Sequence, residues 1–131
     1  MMKAIPFVVA ASFLALAACA STLQPTPVAY AATDTVFEGW LRFSGEEFQL
    51  NARQDQVLQP LGRPCLSGAL PRDLQRQARL DLNGQRVRIT GQTQAWSDDL
   101  PGRRIDRQGS NIRNECGAAF VILADRIVPI A

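Results

Sequence analysis

The chain contains no histidine. That single absence removes Ser-His-Asp and Cys-His nucleophilic centres, the commonest metal ligand and the usual general base. Lysine is nearly missing as well: Lys3 is the only one, so arginine carries the positive charge. The balance of 14 basic to 12 acidic residues is too even to argue for a polyanionic partner from charge alone. Arginine in place of lysine fits bidentate phosphate recognition. It also fits the codon bias of a GC-rich genome, and the even charge favours that second explanation. Aromatic residues make up only 7% of the chain. No glycine-rich phosphate loop, CxxC pair or zinc-ligand spacing occurs. Past residue 18 no segment is long and apolar enough to span a bilayer, and the apolar run from Ala4 to Ala18 falls short of the ~20 residues a spanning helix needs.

What is present begins at the N-terminus. Met1-Met2-Lys3 is a short positive start, followed by an apolar run with Phe7, Val8, Val9, Phe13 and Leu14 as its bulky members. This is the layout of a secretory signal. The run closes on Leu16-Ala17-Ala18-Cys19, which resembles the bacterial lipobox. The resemblance implies a lipoprotein in which a diacylglyceryl group alkylates the Cys19 thiol and the peptide is cut just before it. Residues 1–18 are then the signal peptide, residues 19–34 a lipidated cysteine with a flexible tether, and residues 35–131 the folded domain. The competing reading is a plain cleaved signal, cut after Ala17 or Ala20, with Cys19 incidental. Ala20 and Ser21 stand where an aspartate would retain an enteric-type lipoprotein in the inner membrane, so the resemblance implies the outer membrane, with the domain in the periplasm. The membrane would then be a partner through the anchor on Cys19, since two or more acyl chains hold stably at ~0.8 kcal/mol per buried methylene. The tether, with Pro25 and Pro27, reaches on the order of 20 Å.

With Cys19 given to lipid, Cys65 and Cys116 remain in a compartment that permits disulfides. A Cys65–Cys116 bond is expected, against the alternative of two free buried thiols. Closing that loop would stabilise the fold by about 4 kcal/mol in the chain-entropy model.

Along the domain, Phe37, Gly39, Leu41 and Phe43 alternate with Val36, Glu38, Trp40 and Arg42, the pattern of a half-buried strand. Ser44-Gly45 is a turn signal, and Phe48 and Leu50 resume the apolar face, predicting a hairpin. Residues 54–63, with Pro60 and Gly62, read as a loop, and the piece from Pro64 to Pro71 reads as irregular. Leu70, Leu74 and Ala78 recur every four residues and predict a short amphipathic helix opened by Pro71 and closed at Asn83-Gly84. Val87 and Ile89 alternate with Arg86, Arg88 and Thr90 in a strand bent at Gly91. Residues 97–114 read as a long charged loop. Residues 120–130 read as a last strand buried on both faces, with pairing limited by Pro129.

These elements predict a mainly β domain: a small OB-fold-like β-barrel with one short helix. Val36–Phe43 with Phe48–Leu50, and then Gly84–Gly91, resemble the opening hairpin and central strand of OB-fold domains, including periplasmic ones. Against that resemblance, the helix falls early, ahead of the strand read as third. The alternative is another small β-barrel lipoprotein type. OB-folds bind ligands across the second and third strands and the flanking loops. The resemblance therefore implies that Arg86 and Arg88 are exposed on a binding face, with Arg103, Arg104 and Arg107 gathered near Trp96 beside it. An aromatic plane among guanidinium groups can stack a base or sugar and hold an anion. The opposing reading is a salt-bridged loop, with Asp98, Asp99, Asp106 and Glu115 pairing the arginines and Trp96 packed in the core.

The acidic doublets Glu46-Glu47 and Asp98-Asp99 have no partner base nearby, so no catalytic residue, metal or cofactor is expected. The expectation is a non-catalytic binding or scaffolding module of the envelope, with a protein or glycan as partner. A cell-wall hydrolase using Asp98 or Glu115 as acid is the rival. An oligosaccharide or nucleic-acid binder comes third, with nucleic acid disfavoured by the address.

Overall fold

The predicted alternation from Val36 becomes strand β1 (Val36–Ser44), which turns at Gly45 into β2 (Glu47–Asn51). Phe43 stands opposite Phe48 and Leu41 opposite Leu50, so the apolar row of one strand faces that of the next. The structure, a computed structural model, describes residues 30–59 and 61–131. The expected signal peptide and the expected lipidation at Cys19 lie outside the described residues.

After β2 come a short helix α1 (Gln54–Val57), β3 (Cys65–Ala69), α2 (Arg72–Leu82) and β4 (Arg86–Ala95). A 3-10 turn at Pro101–Arg103 leads to β5 (Ile105–Arg107) and β6 (Ser110–Ile112), and β7 (Phe120–Pro129) ends the fold. Five strands close into a barrel in the order β1-β2-β3-β7-β4, with β4 returning to β1. All neighbours are antiparallel except β3 and β7. The protein is thus mainly β, with an OB-fold-like closed barrel. Phe37, Leu41, Phe48, Leu50, Val87 and Ile89 fill the interior. The register of β4 against β7 shifts between Thr90 and Gly91, which is the predicted bend.

Residues 54–63, read as a loop, open with the helix α1, and four further expectations need correction. The piece read as irregular is β3: all five residues of Cys-Leu-Ser-Gly-Ala are buried, so no polar alternation announces it. Its presence makes β4 the fourth barrel strand, and α2 then follows the third, where an OB-fold carries its helix. The buried face of α2 is Gln75, Ala78 and Leu82, while Leu74, placed by the sequence on the apolar row, is 51% exposed. The loop over residues 97–114 contains the β5–β6 hairpin, whose Ile105 and Ile112 build a second small core with Ala69 and Val121. Finally, β7 is buried on both faces only in its first half; Asp125 and Arg126 are exposed.

Candidate functional site

Glu47, Gln49 and Asn51 alternate with the interior residues Phe48 and Leu50, so they belong to the outer face of β2. Yet they are only 2%, 2% and 1% exposed. Over Glu47 and Gln49 the cover is the chain's own segment around Cys116, fixed by a Cys65–Cys116 disulfide, while Asn51 donates to the Gly62 carbonyl at 2.6 Å. The Glu47 carboxylate accepts the backbone N–H of Arg113 at 2.8 Å and of Glu115 at 3.1 Å. The Cys116 N–H donates to Ser67 Oγ at 3.0 Å. Glu115 Oε2 accepts from Ser44 Oγ at 2.9 Å and Gln49 Nε2 at 3.0 Å, and Arg63 donates to the Glu115 carbonyl at 2.9 Å. The β2–β3 surface on which OB-folds present ligands is therefore occupied from within.

Burial pushes the Glu47 carboxyl above its ordinary value, against the pull of its hydrogen bonds from Ser67 and the two backbone N–H groups. An acid with a raised folded-state pKa contributes stability that is complete below the ordinary value of 4.5 and is lost as pH rises through the folded value. Glu47→Gln removes this ionisation. The melting temperature of the variant, measured relative to wild type, should therefore rise as pH goes from about 4 to 7. Parallel curves for the two proteins would refute the assignment.

Several of the residues singled out from the sequence are engaged with the chain's own groups. Arg86 donates to the Ala131 carbonyl at 3.0 Å, and Arg88 pairs with Glu38 at 2.8 Å across β1. Trp96 lies just beyond the opposite end of β4 from Arg86, past the bend at Gly91. Its ring is half-buried against the second core, and its N–H reaches Asp98 at 3.4 Å. Arg107 donates twice to the Ala124 carbonyl and pairs with Asp125 at 2.6 Å. Arg103 and Arg104 are exposed, and neither has an ion pair among the described residues.

Two grooves flank α2. The larger, about 480 Å³, lies between the helix and the end of β7 and has Leu70, Leu74, Ala78 and Ile127 among its walls. The smaller, about 210 Å³, opens towards the β5–β6 turn and is lined by Arg72, Arg76, Arg79, Glu46, Gly109 and Ser110, with Gln75 behind. Sequence reasoning passed over these arginines. Their spacing of four and three on a helix was the available signal. Among the described residues no cluster of Cys, Asp or Glu is arranged to hold a metal ion. No protein-family model matches the chain, and comparison with curated proteins and with solved structures finds no match.

Proposed function

We propose that this protein is an envelope lipoprotein, anchored by lipid on Cys19, whose OB-fold-like domain is a non-catalytic binding or scaffolding module facing the periplasm. The observation that carries the reading is a disulfide-closed barrel behind a lipobox-like signal. A Cys65–Cys116 bond fits an oxidising compartment, and the signal-like N-terminus supplies a route to one. The binding reading is supported by the way the chain spends its polar groups. The buried carboxylate Glu47 is engaged with the chain's own backbone, and Arg88 and Arg107 are engaged in ion pairs. The arginine groove beside α2 is an open polar feature available to a partner.

The anchor is tested by feeding cells a radiolabelled fatty acid. Wild type should incorporate label, and Cys19→Ser should lose it and leave the precursor uncleaved or cut elsewhere. Equal label in both would end the lipoprotein reading. Pull-down from envelope extract with the lipidated protein tests for a protein or glycan partner.

A further inference from the structure

Arg72, Arg76 and Arg79 lie on one flank of α2, about a quarter-turn from the buried row Gln75, Ala78 and Leu82. The flank looks across the smaller groove at Gly109 and Ser110 of the β5–β6 turn. Three contacts fix the shape of that groove. The Arg72 N–H donates to the Gln108 carbonyl at 3.1 Å, tying the start of the helix to the turn. Gly109 has a φ of +96°, and a side chain there would begin 3.0 Å from Arg72 Cβ, so the bare backbone is what admits the arginine stem. Buried Gln75 accepts from the Leu70 N–H at 2.9 Å and donates to the Glu46 carbonyl at 3.0 Å, which sets the position of the remaining wall.

The donors in this groove are unspent. None of the three guanidinium groups has a carboxylate within 4.0 Å among the described residues. Glu46, which shares the groove, accepts instead from Asn111 Nδ2 at 3.0 Å. Ser110 is 2% exposed and lines the groove beside Gly109. Three like charges on neighbouring helical turns repel one another. One group relieves that repulsion: a tetrahedral oxyanion with several acceptor oxygens, which guanidinium forks bind bidentately and the Ser110 hydroxyl at the groove wall can also reach. Glu46 adds selectivity. It repels a bare polyanion and favours a ligand with a hydroxyl or amine beside the anionic group.

We propose that the groove between α2 and the β5–β6 turn binds a phosphorylated ligand, with the phosphate held by Arg72, Arg76, Arg79 and Ser110 and an adjacent hydroxyl or amine held by Glu46. A lipid headgroup and a soluble phosphoester share this chemistry. The inference goes beyond the envelope reading and does not depend on the anchor.

The test uses the full chain in detergent micelles, with the arginine Nε–H resonances followed by NMR. One arm adds inorganic phosphate and then phosphoethanolamine in solution. The other dopes the micelles with phosphatidylethanolamine or phosphatidylglycerol. The resonances of Arg72, Arg76 and Arg79 should shift saturably, and added salt should weaken the response. Saturation in the first arm identifies a soluble ester, and saturation only in the second identifies a headgroup; either supports the site. Arg76→Gln with Arg79→Gln should weaken binding at least about tenfold while the amide spectrum stays intact, since exposed charges contribute little to folding. Glu46→Gln should tighten inorganic phosphate and reduce the preference for phosphoethanolamine over it. No saturable shift in either arm overturns the proposal. So does an equal response in the double variant, or a response spread evenly over Arg103, Arg104 and Arg126.

Discussion

Replacing Cys65 and Cys116 together by alanine is expected to lower the melting temperature by roughly 15–30 °C. The bond joins residues 51 positions apart, and closing a loop of that length removes about 4 kcal/mol of unfolded-chain entropy. In a domain of this size each kcal/mol is worth about 4–8 °C. Alanine is the appropriate replacement because both cysteines are buried, and a serine hydroxyl would add an unpaired polar group. The loss should also be local in its first effect. The segment over β2 and β3 would keep its bonds to Glu47 and Ser67 but lose its covalent clamp. In hydrogen exchange, the amides of Arg113, Glu115 and Cys116 should lose protection before those of Phe48 and Leu50. A drop of under about 5 °C would mean that the unfolded chain is already constrained without the bond.

Gly91→Val should be nearly as damaging, for a different reason. A Cβ at Gly91 would stand 2.3 Å from the Leu123 carbonyl oxygen and 2.9 Å from Ala124 Cα. Both are backbone atoms of β7, so no side chain can rotate away and the two strands must separate. Gly91 also donates its N–H to the Thr35 carbonyl at 3.0 Å, which joins the lead-in to β1 to the same point. A loss of about 3 kcal/mol or more is expected, a large share of the roughly 5–15 kcal/mol that holds a domain. Gly45→Ala is the control. It meets nothing within 4 Å but has a φ of +59°, so it should cost only about 1–2 kcal/mol, the penalty of the left-handed backbone. Urea unfolding of both variants separates the two causes. Equal losses would show that the close approach of β4 to β7 is not what requires glycine at position 91.

What could be read from the sequence followed from local periodicity. The alternation of Phe37, Leu41 and Phe43 gave the first hairpin, Gly91 gave the bend in β4, and the two cysteines left after Cys19 gave the disulfide. What stayed hidden depends on partners far along the chain. β3 has no polar side because the barrel core covers one face, and the Cys116 segment and the second core of Ile105 and Ile112 cover the other. Glu47 and Gln49 read as solvent-facing until residues 113–116 fold over them. Leu74 looked like core because a four-residue recurrence does not say which side of the helix meets the barrel. The candidate arginines divide in the same way. The engagement of Arg88 with Glu38 depends on the register of β4 against β1, which no local pattern states. The stripe of Arg72, Arg76 and Arg79 was visible, but the Gly109-Ser110 turn that makes it one wall of a groove was not.

The position of β7 has a consequence for how the molecule assembles. It is the last strand in the chain, yet it is the piece inserted between β3 and β4, parallel to one and antiparallel to the other. Until it arrives, the first four barrel strands form an open ribbon whose two free edges each present unpaired backbone groups. Closure therefore needs the pairing of Gly68 with Ile122, as distant in sequence as that of Val36 with Thr90 on the other side of the barrel, and folding dominated by such long-range pairings runs on the slow scale of milliseconds to seconds. The chain cannot seal itself piecemeal as it is made. The barrel is complete only once β7 has paired with both edges.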